Sequence, residues 1–441
     1  MAENEENLKR EIGVWGLSAN IINIMIGAGI FVLPAIVAAN LGAESILAYL
    51  FCGFLITLVM LCFAEVGSRI TSSGGAYTYI EKSFGKYPGF ITAMLFMLSG
   101  IASDAAVANA VTEIVSSIFP FFQGYLLKSL FAVFLFLGLA FINIIGLKKG
   151  MAFVKIIITL KVVPLLIIVL IGFKDVSVVN LYWETVPSAK KIGETALILF
   201  FAFQGAETGL LVSGEVKNPN KTIPQAIRLA VVGVLLLYIL IQTISQGILG
   251  ASLAAFIENP LGEVASQIFG PIGFTLITIG AAVSMFGTLS SEILSMPRLL
   301  YAASNDKVIP VKMLSQIHTK YSTPFISIIV YAGLGLIFTL AGGFRQLAII
   351  SSASTLLIYL GVSLSVIKLR TVKNLVPDVK LFRIRGGYTV PILSSLVILW
   401  FLSNLARNEL LGIGSFLIIL TLIYGLINFK KLRQPFQGKR N

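Results

Sequence analysis

Charged side chains are missing from long blocks of this chain, and their absence limits its fold more than any motif does. Residues 12–43, 45–64, 229–257, 321–344 and 346–367 contain no Asp, Glu, Lys, Arg or His. A helix crosses a bilayer with about 20 apolar residues, so each block is long enough to span one. Only 12% of the 441 residues are charged, whereas soluble domains carry about 25%. In lipid every backbone N–H and C=O needs an internal partner, which long helices provide. The expected fold class is therefore an all-α polytopic membrane protein.

The hydropathy pattern predicts twelve spans, near 12–40, 43–68, 88–119, 125–147, 150–173, 192–213, 222–250, 266–303, 323–342, 346–369, 387–406 and 409–429. Numbered this way, six of the 33 Lys and Arg residues (Lys128, Lys174, Lys190, Lys191, Arg345 and Arg407) fall on one side. Lys161 falls within a span, and the other 26 fall on the opposite side. The positive-inside rule makes that second side cytoplasmic and places both termini there. The net charge of +13 is thus a topology signal, and nucleic acid is not an expected partner. The first apolar segment is too long for a cleaved signal peptide and has no small-residue cleavage site after it. Cys52 and Cys62 share one apolar span and read as packing residues. His318, the single histidine, lies in a polar loop, so neither a zinc cluster nor histidine-based catalysis is expected.

Two spans carry weak points. Span 1 contains "IGAGIF" (26–31), and span 6 contains "FQGAETG" (203–209). Each glycine disfavours a helix interior by about 1 kcal/mol relative to alanine. Close helix packing is one explanation. The other is an unwound turn, whose free N–H groups and helix dipole suit an anion such as a carboxylate. The two points lie five spans apart, an odd number, so the halves containing them run in opposite directions. Paired interrupted helices in inverted halves point to a transporter's binding site. "NPNKTIP" (218–224) reads as a stop at Pro219 followed by a new helix capped by Thr222.

"NIMIGAGIFVLP", "SSGGAYTYI", "FFAFQGAETGLLVSGEVKNPNKTIPQAI" and "PRLLYAASNDKVIP" follow in order. Together they resemble the amino acid–polyamine–organocation (APC) superfamily of secondary transporters. The resemblance implies two inverted five-helix repeats, as in the sodium-coupled leucine transporter, at 12–173 and 192–370. Two further helices lie at 387–429, with cytoplasmic ends at 1–11 and 430–441. It also implies a substrate held between spans 1, 3, 6, 8 and 10. The backbone N–H groups of Ala28, Gly29 and Ile30 match those that hold the substrate carboxylate. The carbonyls of Met25 and Ile26, with span 6 carbonyls around Phe200 and Phe203, match those that receive its amine. Phe201 stands where relatives place an aromatic gate, and Gln204 where they contact the substrate side chain. For the three phenylalanines, plain core packing is the competing reading.

Ionisable groups within spans need a reason, because each costs at least about 2.5 kcal/mol at the bilayer centre. Lys161 is eleven residues from both Gly150 and Gly172, hence about 16 Å from either end of its span. It is either one half of a fixed ion pair or a proton-linked switch. In the resembled family this lysine stands where sodium sits in sodium-coupled relatives, touching the span 1 break near Gly27, so proton coupling without sodium is expected. Asp104 and Glu292 match substrate-facing positions, although the second is aromatic in arginine/agmatine exchangers. Glu207 matches an acid used in gating or proton release. Three acids against one lysine favour a cationic substrate. Neutralised or paired acids would instead leave a cavity for small neutral amino acids.

The resulting expectation is a multi-pass permease of the plasma (inner) membrane that moves amino acids by alternating access. Spans 1, 2, 6 and 7 would rock on hinges at Gly27, Gly29 and Gly205. Proton-coupled uptake with a cationic preference is one mode; obligate exchange of amino acids or polyamines, or symport of small neutral amino acids, are the others. The expected partners are an amino acid or polyamine, a proton and the bilayer, with the chain as a monomer or homodimer. No catalytic residue, metal or cofactor is expected. A channel would need a continuous polar stripe, and a membrane-embedded enzyme would need a nucleophile with its base; neither pattern is present in the sequence.

Overall fold

The structure, a computed structural model, describes residues 12–70, 75–145, 151–208, 216–305, 309, 311–371 and 382–432. The segment 1–11, the part of span 6 beyond Thr208 and the tail from 433 lie outside them. The described chain is helical: α1 (Val14–Met25), α2 (Gly29–Leu41), α3 (Ile46–Arg69), α4 (Gly75–Phe84), α5 (Lys86–Ile118), α6 (Tyr125–Ile145), α7 (Met151–Gly172) and α8 (Ala189–Leu199). These are followed by α9 (Pro219–Leu249), α10 (Pro260–Phe269), α11 (Pro271–Asn305), α12 (Phe325–Ala341), α13 (Phe344–Thr371), α14 (Thr389–Ser403) and α15 (Arg407–Leu432).

Among the described residues, seven helical stretches are long and apolar enough to cross a membrane: Gly29–Arg69, Lys86–Ile118, Tyr125–Ile145, Lys221–Ala255, Pro271–Asn305, Phe344–Thr371 and Arg407–Leu426. Three shorter apolar helices, α1, α12 and α14, accompany them. The protein is an all-helical polytopic membrane protein. Its outer surface has the chemistry of a lipid contact. Phe134, 75% exposed, lies on one face of α6 with Leu137 and Phe141, and Ile418, Leu422 and Leu426 do the same on α15. The interior reverses the pattern. α5 packs along α11, α12 and α13, and their buried faces carry small and hydroxyl side chains such as Ser99, Ala102, Ser284, Ser351 and Ser352. Small residues let membrane helices approach, and hydroxyls bond across them.

Three local features depart from the sequence reading. "AYTYIEKSF", expected as connecting loop, forms α4. Its buried Ala76, Tyr79 and Ile80, at helical spacing, pack it against α5 and α13. The stretch expected as one span over 266–303 is split at Gly270, which takes φ +70° between α10 and Pro271. Pro219 starts α9 rather than stopping a segment, and Asn218 before it is left-handed at φ 44°. The first helical position suits proline, because the N–H it lacks would have no acceptor there.

A buried ion cluster ties α3 to the end of α13. Glu65 accepts from Arg370 Nε at 2.7 Å and Nη2 at 2.5 Å, from Arg69 Nη2 at 2.9 Å and from the Ile384 N–H at 2.8 Å. Arg370 also donates to the Gly387 carbonyl and lies over the Tyr388 ring at 5.5 Å. The segment entering α14 is therefore anchored to the same carboxylate.

Candidate functional site

Both weak points are breaks in helices. α1 ends at Met25, Ile26 leaves helical geometry at φ −76°, ψ 84°, and α2 starts at Gly29. A restarting helix leaves its first N–H groups without an intrahelical acceptor. Those of Ala28, Gly29 and Ile30 have no backbone acceptor among the described residues, whereas Phe31 and Val32 donate to the Ala28 carbonyl. The second break follows α8 as a 3₁₀ turn over Phe200–Phe203. The chain then turns at Gly205, whose φ of +97° suits a residue without Cβ.

The breaks lie directly against each other. A Cβ on Gly29 would fall 2.6 Å from the Ala202 Cβ, and one on Gly205 would fall 2.7 Å from the Ile24 Cγ2. One on Gly27 would meet only the Thr288 Cγ2, at 4.0 Å. Packing and unwinding, alternatives in the sequence, thus divide between the glycines: Gly29 is a contact, and Gly27 stands in open space. Tyr238 of α9 completes the joint. Its fully buried hydroxyl lies 2.9 Å from the Met25 carbonyl and 3.0 Å from the Ala202 carbonyl, one from each break. Tyr238→Phe leaves those carbonyls without this donor, a loss of about 1–3 kcal/mol. A lower melting temperature and slower transport are expected; unchanged values for both would remove Tyr238 from the joint.

Between the breaks, α5 and α11 lies a cavity with about 650 Å³ of empty space, part of it open at the mouth. Of the residues singled out in the sequence, Met25, Gly27, Ala28, Gly29, Phe201, Gln204, Gly205, Glu207 and Glu292 line it. Ser99, Ser103, Thr208 and Thr288 add hydroxyls, and Phe96 and Met296 add apolar wall. Ile26 and Ile30 bury their side chains in the core, leaving only backbone for the roles expected of them. Phe200 and Phe203 are fully buried in ring clusters with Tyr359 and Phe401, and with Tyr49 and Tyr238. Phe201 alone of the three faces the cavity, edge-on to Phe344.

The polar side chains differ in how firmly they are held. Gln204 is fixed to α13: its Nε2 donates to Ser352 at 2.9 Å, and its Oε1 accepts from Ser351 at 2.9 Å and Thr355 at 3.1 Å. Ser99 of α5 joins the same network, 2.7 Å from the Thr355 hydroxyl. Glu207 accepts from the Gly205 N–H at 3.1 Å and from the Tyr359 hydroxyl. Lys161 is set behind the cavity wall, where its ammonium donates to the Asn23 carbonyl at 3.2 Å and Thr288 at 3.0 Å. It forms no ion pair among the described residues. Asp104 is also set back, fully buried, with Oδ2 accepting from Tyr331 at 2.8 Å and Oδ1 without a donor. Glu292 alone of these acids reaches the cavity without a hydrogen bond or ion pair among the described residues.

Tyr238, Tyr331 and Tyr359 were not singled out in the sequence. Each interrupts an apolar run ("LLLYILIQ", "IVYAGLG", "LLIYLGV"), and a hydroxyl in such a setting needs a buried partner. That signal was present.

The model of the amino acid permease family matches residues 12–428. The chain belongs to that family, within the APC superfamily. This permease is 32% identical to a serine/threonine exchanger of Bacillus subtilis over 359 residues, 80% of this chain and 81% of that one. It is 24% identical to a branched-chain amino acid permease of the same organism over 457 residues, 98% and 96% of the two chains. An arginine/ornithine antiporter of Pseudomonas aeruginosa is 28% identical over 324 residues, 69% of this chain and 66% of that one. Membership makes the protein an amino acid transporter of the membrane, not an enzyme, and the cavity between the breaks is its candidate substrate site.

Proposed function

We propose that this permease carries amino acids across the cytoplasmic membrane by alternating access, without sodium, coupled to protons and with a preference for cationic side chains. One observation carries the reading: the cavity is lined by Ala28 and Gly29, whose backbone N–H groups, like that of Ile30 beside them, have no backbone acceptor among the described residues, and by Glu292, whose carboxylate has no hydrogen bond or ion pair among those residues. The donors suit a substrate carboxylate and the glutamate suits a second cationic group. The carbonyls of Met25 and Ile26 receive the amine, with Tyr238 yielding its bond to Met25 as the amine arrives. Gln204 and Phe201 contact the substrate side chain, and Asp104 adds negative potential from behind the wall. Phe200 and Phe203 contribute backbone only.

In this reading the chain crosses the membrane twelve times as two inverted repeats, 12–173 and 192–370, plus the helices at 387–429. Both termini are cytoplasmic, and the protein works as a monomer or homodimer. α1, α2, α3, α8 and α9 rock against the rest. The close contact of Gly29 with Ala202 supports joint movement of the two breaks, with Gly27 and Gly205 as the bending points. Lys161 is the coupling switch and Glu207 the gate. Lys161→Ala is expected to abolish the response of uptake to an imposed pH gradient while shifting the melting temperature little. Intact pH-driven uptake in that variant would refute the switch.

A second reading is exchange of small hydroxylated amino acids. Ser99, Ser103, Thr208 and Thr288 in the wall favour it, as does the 32% identity to a serine/threonine exchanger. A thermal-shift screen of the purified permease against amino acids and polyamines separates the substrate classes, because a ligand of the folded state raises its melting temperature. Arginine, lysine or ornithine should give the largest shifts; shifts with serine and threonine alone would replace the first reading by the second. Uptake into liposomes then separates the modes. Exchange needs internal amino acid, whereas symport follows the proton gradient into empty vesicles.

A further inference from the structure

Glu292 is held unlike the other ionisable groups buried in this permease. Glu65 has two arginines, Glu207 has Tyr359 and the Gly205 N–H, and Lys161 has the Asn23 carbonyl and Thr288. Glu292 has a place on the cavity wall and no donor among the described residues. The groups facing it come from every side. Asp104 approaches from α5, Lys161 from α7, Tyr331 from α12 and Glu207 from the second break. Further along its own helix, Arg298 is exposed and bonded to the Leu294 carbonyl.

Three carboxyl groups therefore share a low-dielectric region with one ammonium, and that ammonium is bonded to neutral oxygens. A buried charge without a partner is far more costly than a neutral carboxyl in the same place. Asp104 and Glu207 are sealed or hydrogen-bonded where they stand. Glu292 is the carboxyl that both solvent and substrate can reach.

We infer that Glu292 is an exchange site at which a proton and the cationic end of a substrate side chain compete, so that binding a cationic amino acid expels one proton. The inference rests on the cationic preference proposed above. In the empty cavity Glu292 carries the proton. When a guanidinium or ammonium arrives, the O–H bond breaks, its electron pair stays on the carboxylate oxygen, and the proton passes to cavity water. The cation then donates hydrogen bonds to both carboxylate oxygens. A neutral amino acid leaves that proton in place. Asp104 tunes the exchange through its charge without touching the substrate.

Calorimetry on the purified full-length permease tests this. L-arginine and L-serine are titrated from about pH 5.5 to about pH 8, in buffers of differing ionisation heat, which counts the protons released. For arginine, close to one proton leaves per molecule bound at the acidic end, and Kd weakens by up to about tenfold per pH unit there. Serine releases none. Glu292→Gln is expected to lose the release and the pH dependence with arginine, with its melting temperature reporting that the fold is intact. Asp104→Asn is expected to keep the release and move the pH at which it is half complete. Arginine binding without release or pH dependence, or undiminished release from Glu292→Gln, overturns the exchange site and leaves the cationic preference standing. Failure of arginine, lysine and ornithine to bind at any pH overturns the preference itself and the exchange site with it.

Discussion

Gly29→Ala is expected to reduce transport far more than Gly27→Ala, two residues away in the same motif. The Gly29 position faces the Ala202 Cβ at 2.6 Å and its Cα at 2.8 Å, and neither atom can rotate aside because they belong to the backbone and its first carbon. One methyl group would therefore push the two breaks apart. Overpacking of this kind costs about 1–3 kcal/mol. It falls on the contact that sets the cavity wall, since Met25 and Ala202 share the Tyr238 hydroxyl. A difference of about 1.4 kcal/mol is a tenfold change in an equilibrium, so a drop in uptake of tenfold or more is expected. At Gly27 the added methyl would have only the Thr288 Cγ2 within 4.0 Å. Membrane levels of both variants control for folding. Wild-type uptake by Gly29→Ala would show that the breaks do not work as one packed unit.

Glu65→Ala should be the most destabilising single change outside the cavity. The Glu65 side chain is 0% exposed and that of Arg370 1% exposed, so the alanine variant leaves a guanidinium buried without its counter-ion. Breaking one partner of a buried pair costs about 3–5 kcal/mol. The Ile384 N–H loses its acceptor as well, which loosens the entry to α14. The expected readout is a large fall in the melting temperature in detergent that salt does not reproduce, because buried pairs are screened little. The double change Glu65→Leu with Arg370→Met should recover much of the loss by replacing the pair with apolar volume. Equal stability of Glu65→Ala and the native permease would mean that the cluster is ornamental.

Much of this architecture is legible in the sequence because its cause is local. A bilayer demands apolar length, and charge-free blocks supply it. Helix interiors disfavour glycine, and the breaks fall at "IGAGIF" and "FQGAETG". Lys161 falls midway along α7, as counting residues along the span leads one to expect. The short helices α4 and α10 escape the same reading. α4 has too few apolar residues to stand out from a loop, and α10 is separated from α11 only by the left-handed Gly270.

The pairings were not legible. The sequence reading of Asp104 and Glu292 gave both the same task, yet one is sealed against Tyr331 and the other open to the cavity. The partner of Lys161 could have been any acid in the membrane; it is the Asn23 carbonyl, 138 residues away, together with Thr288. By itself the sequence determined the class of protein, its long apolar helices, the points where two helices stop and the rarity of charge between. Only the tertiary structure decided which glycine is a contact, which tyrosine joins the breaks and which cavity carboxylate has no donor among the described residues. Hydropathy and helix breaking act over a few neighbouring residues, and the face a helix presents follows from its 3.6-residue period. What stands opposite that face depends on how helices distant in sequence cross, which no local pattern encodes.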